Sequence, residues 1–342
     1  MRRDNLRTVI FAVIGGVFLV SSKASTLSAS GMRSFQLTYE VRLPSIPADA
    51  KEVKIWVPLA GSDKVQTIRR RIIEVPYPYR LTQDPQYGND ILFVSLKQPL
   101  PPSLELSVQY EAETRQDQPS LNKAAAAISS ESQKTMALHL ASNRWMVVND
   151  AIRQLAASVT AQAKTPVEKA QAIYRYVIEG MKYDKETPGW GNGDTLRACE
   201  VGAGNCTDFH SLFISLARAS GIPARFQIGL PVPKKSEGDI SGYHCWAEFY
   251  LEGVGWVPVD ASEAWKDRKR FDYFFGTYDP NRLAVSVGRD IQLVPQPAAG
   301  DSINIFFFPY VEVDGKLVEK ERIETRFRFR DLVMARGEKD AQ

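Results

Sequence analysis

The chain has 342 residues, 44% hydrophobic and 24% charged, with a formal net charge of +3. That is apolar material for about two ordinary cores, and too balanced a charge to argue for nucleic acid or a strongly acidic partner. Its 3 cysteines form an odd set, which leaves either one pair plus a free thiol or three free thiols.

Residues 1–30 carry Arg2, Arg3 and Arg7, an apolar run over 9–20, then Ser21, Ser22, Ala24 and Ala29. This is the pattern of a signal peptide. A run of that length spans roughly 18 Å as a helix, short of a ~30 Å bilayer core, so a cleaved signal is expected rather than an anchor. The expected destination is the periplasm or the exterior of a bacterium. From residue 33 the period becomes 2. Phe35, Leu37, Tyr39, Val41 and Leu43 alternate with polar residues, as do Leu104, Leu106, Val108, Tyr110 and Ala112, and 53–57 and 91–96 add shorter strands. Such alternation predicts an antiparallel sandwich.

Residues 116–120, with Pro119, read as a linker. The period then changes to helical over 121–143 and 149–180, where Thr165-Pro166-Val167-Glu168 forms a capping box with Pro at the first helical position. Beyond residue 260 short strands return at 303–308 and 323–329, with a turn at Asp314-Gly315.

Between these regions lie the chemistry-bearing residues. Asn205-Cys206-Thr207-Asp208 opens a run in which Phe209, Leu212, Phe213, Leu216 and Ala217 share one helical face, and Gly221-Ile222-Pro223 stops it. A thiol at a helix N-terminus is easily ionised, because the dipole and unpaired amides favour negative charge. Gly202 and Gly204 permit close backbone approach, and the Cys206 amide is a candidate oxyanion donor. His244 and Asp260 flank the turn Glu252-Gly253-Val254-Gly255. A hairpin centred on Glu252 would oppose them directly, with Pro258 the residue able to disturb that register. On the first strand His244, Trp246, Glu248 and Tyr250 share one face, and Cys245, Ala247, Phe249 and Leu251 the other, so His244 and Cys245 should point apart. Thiol, imidazole and carboxylate are the groups that nucleophilic catalysis needs.

Competing readings are weaker. His210, one turn past Cys206, is a rival base without a partner acid. Cys199, Cys206, His210, His244 and Cys245 could supply soft ligands to zinc, but their spacing lacks the short knuckle of a structural site, so no metal or cofactor is expected. A Cys199–Cys245 disulfide is a minor alternative to two ordinary buried thiols. Arg69-Arg70-Arg71 and Arg326, Arg328 and Arg330 read as solvated strand faces, with contact to anionic cell wall or lipid headgroups as the alternative. Trp190, in the glycine-rich stretch 188–193, either walls an acyl cleft or simply packs its loop.

Four blocks carry a resemblance: Gly204-Asn205-Cys206-Thr207-Asp208, Ala219-Ser220-Gly221-Ile222-Pro223-Ala224-Arg225, Tyr243-His244-Cys245-Trp246-Ala247-Glu248 and Gly255-Trp256-Val257-Pro258-Val259-Asp260. In order and content they resemble the signature of the transglutaminase-like superfamily over about residues 145–295, except that Cys245 stands where a hydrophobic residue is more usual. The resemblance implies a papain-like core with Cys206 as nucleophile, His244 as general base and acid, and Asp260 as orienting acid. The expected fold class is α+β, divided into a signal peptide (1–30), an immunoglobulin-like antiparallel β-sandwich (31–115) and a transglutaminase-like domain (121–335). The expected activity is acyl transfer on a peptide or protein amide through a Cys206 thioester, with hydrolysis favoured. Protein-glutamine cross-linking and peptide binding without turnover at the cell envelope are the alternatives.

Overall fold

The computed structural model describes residues 31–300 and 302–332, so the expected signal peptide lies outside the described residues. The period-2 segments form the expected strands. Met32–Leu43 buries Phe35, Leu37, Tyr39, Val41 and Leu43, and pairs antiparallel with Leu104–Arg115, Phe35 lying opposite Ala112. Because successive side chains point to opposite faces, each strand gives one apolar stripe to the core. Two five-stranded sheets result. One runs Glu237–Asp239, Glu324–Asp331, Met32–Leu43, Leu104–Arg115, Gln66–Glu74, and the other Lys316–Leu317, Tyr310–Val313, Glu52–Leu59, Asp90–Lys97, Tyr79–Gln83.

The sandwich therefore draws on both ends of the described chain. Strand Glu324–Asp331 pairs with Met32–Leu43 and strand Tyr310–Val313 with Glu52–Leu59. The expected division gave everything from 121 to 335 to one unit, whereas the hydrogen bonding places these later strands in the sheets begun before residue 116. Phe327 and Phe329 explain the pairing, since such a stripe needs a core face. Phe327 stacks on Tyr39 with ring centres 4.5 Å apart. The alternating arginines face outward, Arg326 to Asp239 at 3.1 Å and Arg330 to Glu237 at 3.2 Å, while Arg328 pairs with Glu40. Across the sheet Arg69 meets Glu113 at 2.6 Å. These basic runs are cross-strand ion-pair ladders. Nor is 116–120 a free tether, because the Asp117 amide and carbonyl both bond to Tyr278.

The intervening segment is α+β. Helices Asp150–Val159 and Pro166–Gly180 fill the helical period expected over 149–180, and Thr165 forms the predicted capping box with Glu168 at the start of the second. Residues 121–143 are less helical than their period suggests. They hold only helix Ser130–Thr135 and two single turns, with no buried residue in any of the three, so nothing fixes an extended helix. Likewise 303–308 contributes one bridge, Ile303 to Ile291, rather than a strand. Phe306 and Phe307 are nevertheless buried. A third, antiparallel sheet runs Gly255–Val259, His244–Leu251, Ala224–Pro231, Arg282–Val287.

Helix Cys206–Ala219 lies against this sheet, with Phe213 and Phe249 ring centres 6.1 Å apart. One buried face was expected, yet every residue from Cys206 to Arg218 is buried. Burial all round requires its polar groups to be satisfied inside the protein. Ser215 Oγ meets Thr195 Oγ1 at 2.8 Å, Ser211 Oγ accepts from Arg289 at 2.8 Å, and Arg218 donates twice to the Ala224 carbonyl. A helix held on all sides presents its first turn with little freedom to move.

Candidate active site

Asn205 caps this helix. Its side chain accepts from the Thr207 amide at 2.8 Å, and Asp208 completes the box by accepting from the Asn205 amide at 2.9 Å. The same carboxylate accepts from the amides of Gly191 (2.7 Å) and Gly193 (3.0 Å), so it also ties down the glycine-rich loop. Gly204 is required by contact: a Cβ there would lie 2.3 Å from Asp208 Oδ2. Gly202, at φ 63°, ends the preceding helix Thr195–Val201 in the left-handed conformation. Cys206 is thereby fixed at the first helical position, 3% exposed.

His244 opens strand His244–Leu251 and is 7% exposed. Its Nε2 lies 2.6 Å from Asp260 Oδ2, within the expected range, but the two are not a directly opposed pair. Leu251 pairs with Gly255 and Ala247 with Val259, which centres the turn on Gly253 rather than Glu252. The ladder ends before Asp260, which caps helix Ala261–Lys266 by accepting from the Glu263 amide at 2.9 Å. The shift brings Asp260 level with Trp246 instead of His244, two residues along, which keeps the same face and leaves a diagonal within reach. Pro258 sits on the edge strand of this sheet, where its missing N–H costs no ladder bond.

Asp260 holds more than the imidazole. Arg282 Nη2 donates to Oδ2 at 2.5 Å, and Ser262 Oγ to Oδ1 at 3.0 Å. His210, the rival base, has Nε2 occupied by the Ala261 amide at 3.1 Å and so pins the backbone next to Asp260. Cys245 points inward as expected, yet it remains in the site because the helix N-terminus lies over the start of its strand. Its Sγ is 3.7 Å from Thr207 Oγ1 and 3.8 Å from His210 Nδ1, and its thiol hydrogen-bonds to Cys206. All three cysteines are free, and Cys199 is exposed. Trp190 is 38% exposed on the loop that Asp208 anchors.

These contacts set the charges. The hydrogen bond from Cys245, then the charge and hydrogen bond of His244, hold the Cys206 thiol well below its ordinary range although burial opposes ionisation. Burial also opposes charge on His244, but Asp260 and the Cys206 hydrogen bond raise it to about 9. Asp260 is likewise pushed up by burial, and the charges of His244 and Arg282 outweigh this and hold it well below the carboxylate range. Burial and the neighbouring Cys206 push Cys245 well above the thiol range. Both directions favour a thiolate on Cys206 beside a charged His244 ring. With Nε2 on Asp260, His244 has Nδ1 left for the sulfur.

The structure thus brings Cys206, His244 and Asp260 together and adds two participants that sequence reasoning missed. Arg282 stands in an unremarkable strand well past the last signature block. Cys245 was singled out as a departure from the usual pattern and as a candidate zinc ligand or disulfide partner, but not as a neighbour that lowers the Cys206 thiol.

Fold and site together set a thiol, an imidazole and a carboxylate in sequence on an α+β core. Residues 153–261 match the model of the transglutaminase-like superfamily. An uncharacterized protein of Haemophilus influenzae is 28% identical over 319 residues, covering 82% of this chain and 85% of that protein. Among solved structures, a proposed cysteine protease from Cytophaga hutchinsonii shares the fold, with TM-score 0.62, 14% identity, and 90% of this chain and 93% of that one covered. The periplasmic domain of TgpA from Pseudomonas aeruginosa aligns over 71% of this chain and 92% of that one at 15% identity, with TM-score 0.37.

Proposed function

We propose that the protein is a thiol-dependent amidase or peptidase in which Cys206 attacks an amide carbonyl, His244 protonates the leaving amine, and water resolves the thioester. The observation that carries this reading is the 2.6 Å bond between His244 and Asp260, which favours a charged ring beside the lowered Cys206 thiol. Asp260 fixes which imidazole nitrogen faces the sulfur and stabilises the charged ring. The Cys206 amide, at the first position of the helix, is the donor we assign to the developing oxyanion, with the helix dipole adding to it.

Hydrolysis is favoured over amine transfer because the nucleophile and base are only 3% and 7% exposed. Water enters so closed a site more readily than a second amine-bearing chain. The signal-like pattern of residues 1–30 supports action outside the cytoplasm, on a peptide or envelope protein. The test is product identity. With a peptide panel and a millimolar primary amine, we expect mostly the acid product. Predominant amine incorporation would instead make the enzyme a cross-linking transglutaminase with the same three residues. Peptide binding with neither product nor covalent adduct would make it an envelope-binding module.

A further inference from the structure

Strand Arg282–Val287 is the outer strand of the sheet that carries His244. An edge strand exposes a row of unpaired N–H and C=O groups. Here two side chains from the sandwich occupy that row. The Gln66 amide accepts from the Ala284 N–H at 2.8 Å and donates to the Ala284 carbonyl at 3.0 Å. The Asn89 amide does the same at Val287, accepting at 2.7 Å and donating at 2.8 Å. Each side-chain amide stands in for the peptide group of a neighbouring strand. Both residues are buried, and Gln66 is held in turn by the Gly61 carbonyl at 2.6 Å. Arg282 lies two residues before the first clamp, with its guanidinium 5.3 Å from the Trp246 ring centre and bonded to Asp260.

We infer that the sandwich is a positioning element of the catalytic site: Gln66 and Asn89 fix strand Arg282–Val287 in the placement that keeps Arg282 on Asp260. This rests on the proposed roles of Cys206, His244 and Asp260. Arg282 and His244 share the same carboxylate oxygen, so a displaced Arg282 changes both the aim of that oxygen and the positive field at the thiolate. The charged and titratable groups facing this pair are His244, Cys206, Cys245 and His210 from the sheet and nucleophile helix, Tyr174 from helix Pro166–Gly180, Glu263 from the capped helix, and Asp279 and Tyr273 from the loop before the strand.

The test follows iodoacetamide modification of Cys206 against pH by peptide mass spectrometry, in the full chain. Removing a nearby positive charge disfavours the thiolate, so Arg282→Gln should move the acid limb upward by about one pH unit, about tenfold slower labelling on that limb. Gln66→Met and Asn89→Ala, which leave every charge in place, should move it in the same direction by a smaller, resolvable amount, about threefold in rate. A purely structural role would lower the melting temperature and leave the limb unmoved. Circular dichroism identifies the folded variants, and the two clamps test the same strand from different ends. A shifted limb in Arg282→Gln with an unshifted limb in both folded clamp variants would overturn the inference, as would an unshifted limb in Arg282→Gln itself. If wild-type Cys206 reacts no faster than Cys199 and Cys245, it is the proposed function that fails.

Discussion

Asp260→Asn isolates the electrostatic half of the site while barely changing its shape. The imidazole of His244 rises from an ordinary 6.5 to about 9, against its burial, chiefly through the charge of Asp260 and the hydrogen bond to it. That rise corresponds to an interaction on the order of 3 kcal/mol. Asparagine removes the charge and leaves Arg282 to lower the ring against the Cys206 hydrogen bond that raises it, so His244 should titrate well below its wild-type value. Histidine-detected NMR reads this directly. The chain has only 3 histidines, and burial holds His139 down at about 3, far from the signal of interest. The sign also fixes a stability profile. A raised folded-state value stabilises fully below 6.5 and is lost as pH climbs through about 9. The urea midpoint gap between wild type and variant should therefore be widest near pH 6 and shrink by pH 10. Turnover should fall at least on the order of tenfold, less than for loss of the nucleophile. A His244 titration that stays near 9 in the variant would refute the argument that Asp260 holds the charge.

Near neutral pH iodoacetamide should label Cys206 far faster than Cys199 or Cys245, read by peptide mapping, and Cys206→Ala should keep the fold and lose turnover. Cys245→Ala should slow Cys206 labelling at acid pH by about tenfold or more, because a hydrogen bond to a charged group contributes about 1.5–3 kcal/mol and the interaction with Cys245 is the foremost cause of the lowered Cys206 thiol. Unchanged labelling would make Cys245 a packing residue. Gly204→Ala forces a Cβ against Asp208, so the melting temperature should drop with a loss of about 1–3 kcal/mol and the Cys206 rate with it. A wild-type melting curve would show that the capping box adjusts freely.

Much of the site was legible because local rules agreed with one another. Asn205, Asp208 and the apolar phase of the helix all mark the same N-terminus, and that is where Cys206 stands. The hairpin was legible in outline but not in register. Glu252-Gly253-Val254-Gly255 offers turn residues for either centre, and the choice falls on Gly253, at φ 84°. Arg282 was not legible, since its role arises from a strand whose place is set by Gln66 and Asn89, each separated from it by about 200 positions. The sandwich was half legible. Alternation in Phe327 and Phe329 shows that a strand exists but not which partner it takes, and the choice of Met32–Leu43 is a matter of whole-chain topology.

That topology has a consequence for the order of assembly. Phe35 waits for Asp331, and Trp56 for Tyr310, so neither sandwich sheet closes until almost the whole described chain has been synthesised. Closing a loop of roughly 200 residues costs on the order of 5 kcal/mol of chain entropy, and the cost grows only logarithmically with length. The inserted segment can therefore fold first as a single large loop, shortening the distance its flanks must search. A chain released before residue 324 would hold the thiol-bearing helix and both its partners, yet leave Met32–Leu43 as an unprotected sheet edge prone to pairing with other copies. Strand Glu324–Asp331, the last among the described residues, is the one that hides this adhesive edge.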